Sequence, residues 1–173
     1  MALRSAGAGD AARCAVMTLR IHTARLAYRG PDRLDITRAG ADAARRKGEP
    51  FPGEPWAPSW GILKPALDAR KEAIARRVVA LQEVDLQAVQ ALADEADRIE
   101  ADAWAAYVPA YTAEMRASYS RHRAAWDALL AREEVTLCCY CAAPPGGVLC
   151  CHRRLLAAML AKCGAADEGE REP

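Results

Sequence analysis

Glu134-Val-Thr-Leu-Cys-Cys-Tyr140, followed by Cys141 and a Pro-Pro-Gly-Gly turn into Cys150-Cys-His-Arg-Arg154, decides how this chain is read. The first seven residues form a short apolar run bounded by turn chemistry, which predicts a buried strand. Arg153 to Lys162 carries a helical pattern that Gly164 stops. A strand feeding a helix through a Pro/Gly-rich loop belongs to a layered α/β domain. The same stretch holds five of the seven cysteines within fourteen residues. Thiolates and imidazoles bind soft metals or attack electrophiles, so the chemistry is expected here.

Moving toward the N-terminus, Leu19, Ile21 and Thr23 alternate with Arg20, His22 and Ala24, predicting a strand over 19–28. Gly30-Pro-Asp32 ends it, and Leu34 to Thr37 reads as a second, shorter strand. Gly40 to Pro58 is rich in Gly and Pro and is expected to be a surface loop. From Ser59, Ile62, Leu63, Ala66, Leu67, Ile74, Val78 and Leu81 recur at helical steps, with Arg70 interrupting the stripe. Asp85 reads as the cap of the next helix, whose stripe ends near Trp104. Pro109 suits the first turn of a third helix, one face of which carries Tyr111, Met115, Tyr119, His122, Trp126 and Leu130. These aromatics read as core.

The fold expected is a small α/β domain over 17–164 with a short, mainly parallel sheet and flanking helices, Rossmann-like in layering. Residues 1–16 read as an N-terminal extension outside the domain, Cys14 with them, and 165–173 as a mobile polar tail. With 24 Lys and Arg against 23 Asp and Glu in 173 residues, no net field draws the chain to nucleic acid or membrane. No run is long and apolar enough to span a bilayer, and the odd, clustered cysteines do not suit a secreted disulfide framework. A cytoplasmic protein with reduced thiols or a bound metal is expected, with its protein partners unspecified.

Two chemistries are open at the cysteines. In the first, ligands gather beyond the carboxyl ends of the strands, where Arg29, Arg33 and Arg38 would meet Arg153 and Cys139, Cys141, Cys151 and His152 around a phosphate-bearing nucleotide or nucleic-acid component. Cys151 is then the candidate nucleophile and His152 the general acid or base. Asp35, an acid inside an apolar run, is the second candidate acid or base. In the other, Cys138 and Cys141 have knuckle spacing, and Cys150, Cys151 or His152 complete a zinc site in a non-enzymatic interaction module. Alternation along the strand puts Cys139 and Cys141 on one face and Cys138 on the other, so some of these thiols are core. His22 reads as a core or edge histidine. Nucleotide P-loop, dinucleotide-binding, zincin and serine-hydrolase motifs are missing.

The pieces Ile21-His-Thr-Ala-Arg-Leu-Ala-Tyr-Arg-Gly-Pro-Asp-Arg-Leu-Asp-Ile-Thr37, Ala57-Pro-Ser-Trp60, the Tyr-rich helix up to Trp126, and Leu-Cys-x-Cys with Cys-His-Arg together resemble the family called domain of unknown function 488, in a branch common in actinobacterial and phage genomes. The resemblance spans roughly residues 17–164. Under it Cys139 and Cys141 correspond to the Cys-x-Cys of the family, and Cys151, His152 and Arg153 to its Cys-His-Arg, with Cys138 and Cys150 as extra neighbours. It implies an α/β fold and a site; the family's name records no established activity.

Overall fold

A computed structural model describes residues 18–141 and 151–171. The expectations for residues 1–16, Cys14, the Pro-Pro-Gly-Gly turn and Cys150 fall outside the described residues. Four strands, β1 (Arg20–Arg25), β2 (Arg33–Asp35), β3 (Glu134–Cys139) and β4 (Ala166–Arg171), form one sheet in the order β2-β3-β1-β4. All three pairings are parallel, with Ile21 opposite Val135, Leu34 opposite Leu137 and Ala24 opposite Arg171. This is a mixed α/β fold, one small domain in which helices flank a parallel sheet.

The helices are α1 (Arg38–Lys47), α2 (Trp60–Ala80), α3 (Leu86–Arg121), α4 (Arg123–Leu130) and α5 (His152–Lys162). Period two along the strands sends Ile21, Leu34, Val135 and Leu137 into one core with Tyr107, Tyr111 and Met115 of α3, Trp126 and Leu129 of α4, and Leu156 and Leu160 of α5. The opposite face carries polar groups. There Arg171 donates to Asp32 Oδ2 (3.0 Å) and pairs with Glu134, and Thr136 Oγ1 donates to Asp32 Oδ2 at 2.5 Å.

Three expectations need correction. The supposed loop 40–58 contains α1. Thr37 caps it by accepting from the Gly40 amide, and Arg45, Arg46 and Lys47 sit at its negative C-terminal end. Gly48 then ends it with φ of 70°, a left-handed conformation that glycine adopts without a Cβ penalty. A short 3₁₀ turn follows at Glu54–Trp56, entered at Gly53, where a Cβ would fall 1.7 Å from the Asp35 carbonyl oxygen. Only glycine lets this connection pass so close to the end of β2.

The second correction concerns Pro109, which lies inside α3 rather than opening a third helix. The proline forfeits one backbone bond and strains the preceding turn, at a cost of about 3 kcal/mol. Burial of Tyr107 and Tyr111 on either side of it holds the helix continuous. The break comes later, at His122 (φ −120°, ψ 38°), so Trp126 belongs to a separate helix. Third, Ala166–Arg171 is no tail but the edge strand β4, joined to the sheet where the Ala166 amide donates to Leu19 O at 2.8 Å.

Helices α2 and α3 pack antiparallel. Arg77 bridges to Asp97 and Glu100, each at 2.7 Å, while Glu114 accepts from the Ser59 amide at 2.9 Å and from the Ser59 hydroxyl at the start of α2. Asp85 caps α3 by accepting from the Gln87 amide. No described helix is long and apolar enough to cross a membrane.

Candidate metal centre

Cys139 is the last residue of β3, Cys151 the N-cap of α5 and His152 the first residue of that helix. Parallel sheet geometry therefore brings the end of a strand against the start of a helix, and the side chains meet. The sulfurs of Cys139 and Cys151 are 2.8 Å apart, and His152 Nδ1 lies 4.0 Å from Cys151 Sγ. These three donor atoms all fall within 4.8 Å of one another, and all three residues are buried. Cys141, half-buried, packs against the two thiols, and its backbone amide donates to Cys139 Sγ at 3.2 Å.

The tautomer of His152 follows from its other nitrogen. Nε2 is 3.1 Å from the Ile36 carbonyl oxygen, which can only accept, so Nε2 carries the proton and Nδ1 turns a lone pair toward the thiols. Burial holds the imidazole below its usual pKa, which keeps it neutral. Metal-binding histidines are oriented in this way by a carbonyl behind them. The edge of the Tyr111 ring, 5.8 Å away by centroids, closes another side.

The three thiols titrate as a unit. Hydrogen bonding with Cys141 pushes the Cys139 thiol up, and bonds to Cys139 and Cys141 push that of Cys151 up further. Cys141 goes the opposite way: it is lowered by accepting from Cys139 and Cys151, against its own burial and helped by His152 and Arg70. Without metal, then, the cluster shares its negative charge and settles it on Cys141. Ionising a second thiol at this distance would take a cation to offset the repulsion.

The remaining sequence candidates are placed differently. Cys138 is buried on the other face of the sheet, 3.5 Å from Thr136 O, with its thiol raised by burial. Asp35 turns the chain after β2, accepting from the Thr37 amide (2.9 Å), and pairs with Arg33 at 3.5 Å. Arg38 donates to the carbonyls of Pro58 (2.7 Å) and Ala57 (3.0 Å), fastening α1 to the start of α2. Arg29 is exposed, with no side-chain bond among the described residues. Arg153 is wholly buried beneath the cluster, bound to Ala24 O (2.6 Å) and Glu170 (2.5 Å) and 3.9 Å from Cys139 Sγ. Cys139, Cys141, Cys151, His152 and Arg153 are thus brought together; Cys138 is not, and Arg33 and Arg38 are engaged with other groups.

Two neighbours went unselected in the sequence. Tyr107 stacks on Tyr111 at 5.8 Å, and Arg70 of α2 is close enough to act on Cys141. The signal for Tyr107 was that it continues the four-residue step of Tyr111 and Met115 one turn back, hidden by the expected helix break at Pro109. For Arg70 it was the interruption of an apolar stripe.

The family model described as the active DUF488-N3 subclade matches residues 85–164. Over that segment the chain is similar to the DUF488 family. The matched segment runs from the cap of α3 to the glycine after α5, so it takes in Tyr107, Tyr111, Cys139 and the start of α5. It leaves out β1, β2 and Ala57 to Trp60, which also carried the resemblance. No curated protein and no solved structure matches the chain.

Proposed function

We propose that this DUF488-like protein is a zinc-binding protein whose metal is held by Cys139, Cys151 and His152 Nδ1, with Cys141 as a fourth, more exposed donor. The observation that carries the reading is the His152 bond to Ile36 O, which commits Nε2 and leaves Nδ1 as a donor atom within 4.8 Å of both buried sulfurs. Two thiolates, an imidazole and a third sulfur make a soft, tetrahedral set suited to zinc. Zinc–sulfur bonds of about 2.3 Å put tetrahedral donors roughly 3.7 Å apart. Cys139 and Cys151 would part by about 1 Å on metal entry, a movement within reach of a strand end and a helix cap.

The competing reading, a phosphate-bearing nucleotide or nucleic-acid component held by arginines, has less geometry behind it. Of its four arginines, three already bond to protein carbonyls or carboxylates, and Arg29 remains. What supports the metal reading is three buried donors already gathered within 4.8 Å, with Cys141 packed beside them.

Elemental analysis of untagged protein purified under reducing conditions tests the proposal. About one zinc per chain is expected, retained in Cys138→Ala and lost in Cys139→Ser, Cys151→Ser and His152→Ala. Metal-free wild-type protein that keeps its fold, or equal zinc in all four variants, would refute it.

A further inference from the structure

The end of the connection from α1 to α2 is held residue by residue. Ser118 Oγ donates to Pro55 O at 2.5 Å, Tyr111 Oη to Trp56 O at 2.9 Å, and Arg38 to Ala57 O and Pro58 O at 3.0 and 2.7 Å. The Ser59 amide completes the series by donating to Glu114 Oε2 at 2.9 Å. Five consecutive residues are thus each fixed by a side chain of α1 or α3. A loop pinned this closely to rigid helices is the kind of support on which binding sites are built.

Against that segment opens a cavity of about 570 Å³, the size of a small-molecule site, lined also by α1 and by the last turns of α3. Glu114, Ser118 and Arg121 follow one another along α3 at steps of four and three, so one helix face supplies them to the cavity. Glu114 and Arg121 stand two turns apart, roughly 10 Å along the axis. Among the lining residues Arg38 and Arg45 meet Asp42 and Glu54 at 3.8 and 2.5 Å, but neither Glu114 nor Arg121 joins an ion pair among the described residues. Each oxygen of Glu114 takes one bond, from the Ser59 amide or hydroxyl, which leaves each a lone pair. His122, exposed beside Arg121, adds a ring-nitrogen donor at that end. The cavity therefore has an acceptor at one end and a cation with a second donor at the other.

We propose that this cavity binds a small phosphate monoester of sugar size, its phosphate against Arg121 and His122 and a hydroxyl at its far end donating to Glu114. A phosphate presents the acceptor oxygens that a guanidinium fork engages two at a time, at near twice the charge of a carboxylate. The carbonyl end of α3 opposes an anion with only about half a charge, less than the full charge on Arg121. The site lies apart from the cysteines and stands whether or not they hold a metal. Of the arginines in the competing nucleotide reading only Arg38 borders it, and there it braces the wall.

Isothermal titration calorimetry of the full chain with ribose 5-phosphate tests the proposal. Wild type should bind it more tightly than inorganic phosphate or ribose, since each of those keeps only one end of the ligand. Arg121→Gln, at an exposed position, should weaken binding of ribose 5-phosphate about tenfold. Arg116→Gln removes an exposed arginine of the same helix outside the cavity and should leave the affinity unchanged. No binding of ribose 5-phosphate to wild type at millimolar concentration, or equal affinity in Arg121→Gln, would overturn the site. An equal loss in Arg116→Gln would also overturn it, by making the attraction one of general surface charge. Inorganic phosphate binding as tightly as ribose 5-phosphate would remove the role of Glu114, and ribonate, with a carboxylate as its only anion, binding as tightly would remove the phosphate assignment.

Discussion

Cys138 and Cys139 are adjacent, equally buried and chemically identical, yet strand alternation sends one to each face of the sheet. A knuckle reading of Cys138 and Cys141 weighs spacing along the chain, whereas a strand end sorts side chains by parity. The parity of Cys139 and Cys141 was legible, because period two is a local property. Their meeting with Cys151 and His152 depends on how a helix docks, which no local pattern contains. Arg153 was legible as a cation beside the cluster but not as a buried one. Its enclosure comes from Ala24 O on the first strand, 129 residues away, and from Glu170 on the last, whose strand the sequence had not revealed. Arg153→Met should lower stability by about 2–3 kcal/mol, less than for a fully enclosed pair because Glu170 keeps some solvent, as denaturant unfolding would measure.

Asp32 supplies a pH-dependent term at the same scale. Burial works to raise its carboxyl, but the hydroxyls of Thr136 and Tyr28, its own backbone amide and Arg171 outweigh burial and hold it below the ordinary 3.8. A carboxyl lowered on folding stabilises the protein fully above the unfolded value and loses that contribution as pH falls through the folded one. Wild type should therefore lose stability below about pH 4 more steeply than Asp32→Asn, in urea melts taken across that range. Parallel curves for the two proteins would assign the acid response to other carboxylates.

At the scale of elements, β3 and α5 were readable because each carries an apolar pattern that burial confirms; α2 was readable as a helix, but of its expected stripe only Ile62, Leu63 and Ala66 pack on the core, while Leu67, Ile74, Val78 and Leu81 are exposed. The segment that became α1 lacks such a stripe: only Ala41 and Ala44 are buried, and its Gly and Pro neighbours read as loop. What forms the helix is its ends, Thr37 and Gly48. β4 failed to register for a related reason. Its sequence, Ala-Asp-Glu-Gly-Glu-Arg, alternates charges in place of apolar residues, and those charges are held by Arg153 and Arg154 on one face and by Asp32 and Glu134 on the other. The proline in α3 broke the helix on paper because local propensity was weighed without the aromatic packing that overrides it. Pro109→Ala restores an amide donor there and should raise stability by about 2 kcal/mol, net of the entropy that proline removes from the unfolded chain, seen as a higher Tm.

For the molecule as a whole, the sheet is held together by the strand that comes first. β1 pairs with β3 on one side and β4 on the other, and through β3 with β2. Ending the chain after Ala165 would remove an edge strand, the carboxylate that neutralises Arg153 and the guanidinium that ties Asp32 to Glu134. Such a truncation should destabilise the whole cooperative unit, not fray one edge. It would show as a lowered denaturation midpoint reported alike by circular dichroism and by tryptophan fluorescence; loss confined to the edge would leave the fluorescence midpoint unchanged.

The same arrangement dictates an order of events on the ribosome. Arg20 leaves the ribosome early, but its partner Glu134 lies 114 residues further along, and β4 is later still. Elongation at about 5–20 residues per second leaves β1 unpaired for many seconds, during which the α2–α3 hairpin can form from local contacts alone. The nascent chain is therefore a finished helical arm attached to a solitary strand whose backbone edges have no partner. That strand is the segment a chaperone would be expected to shield until β3 arrives.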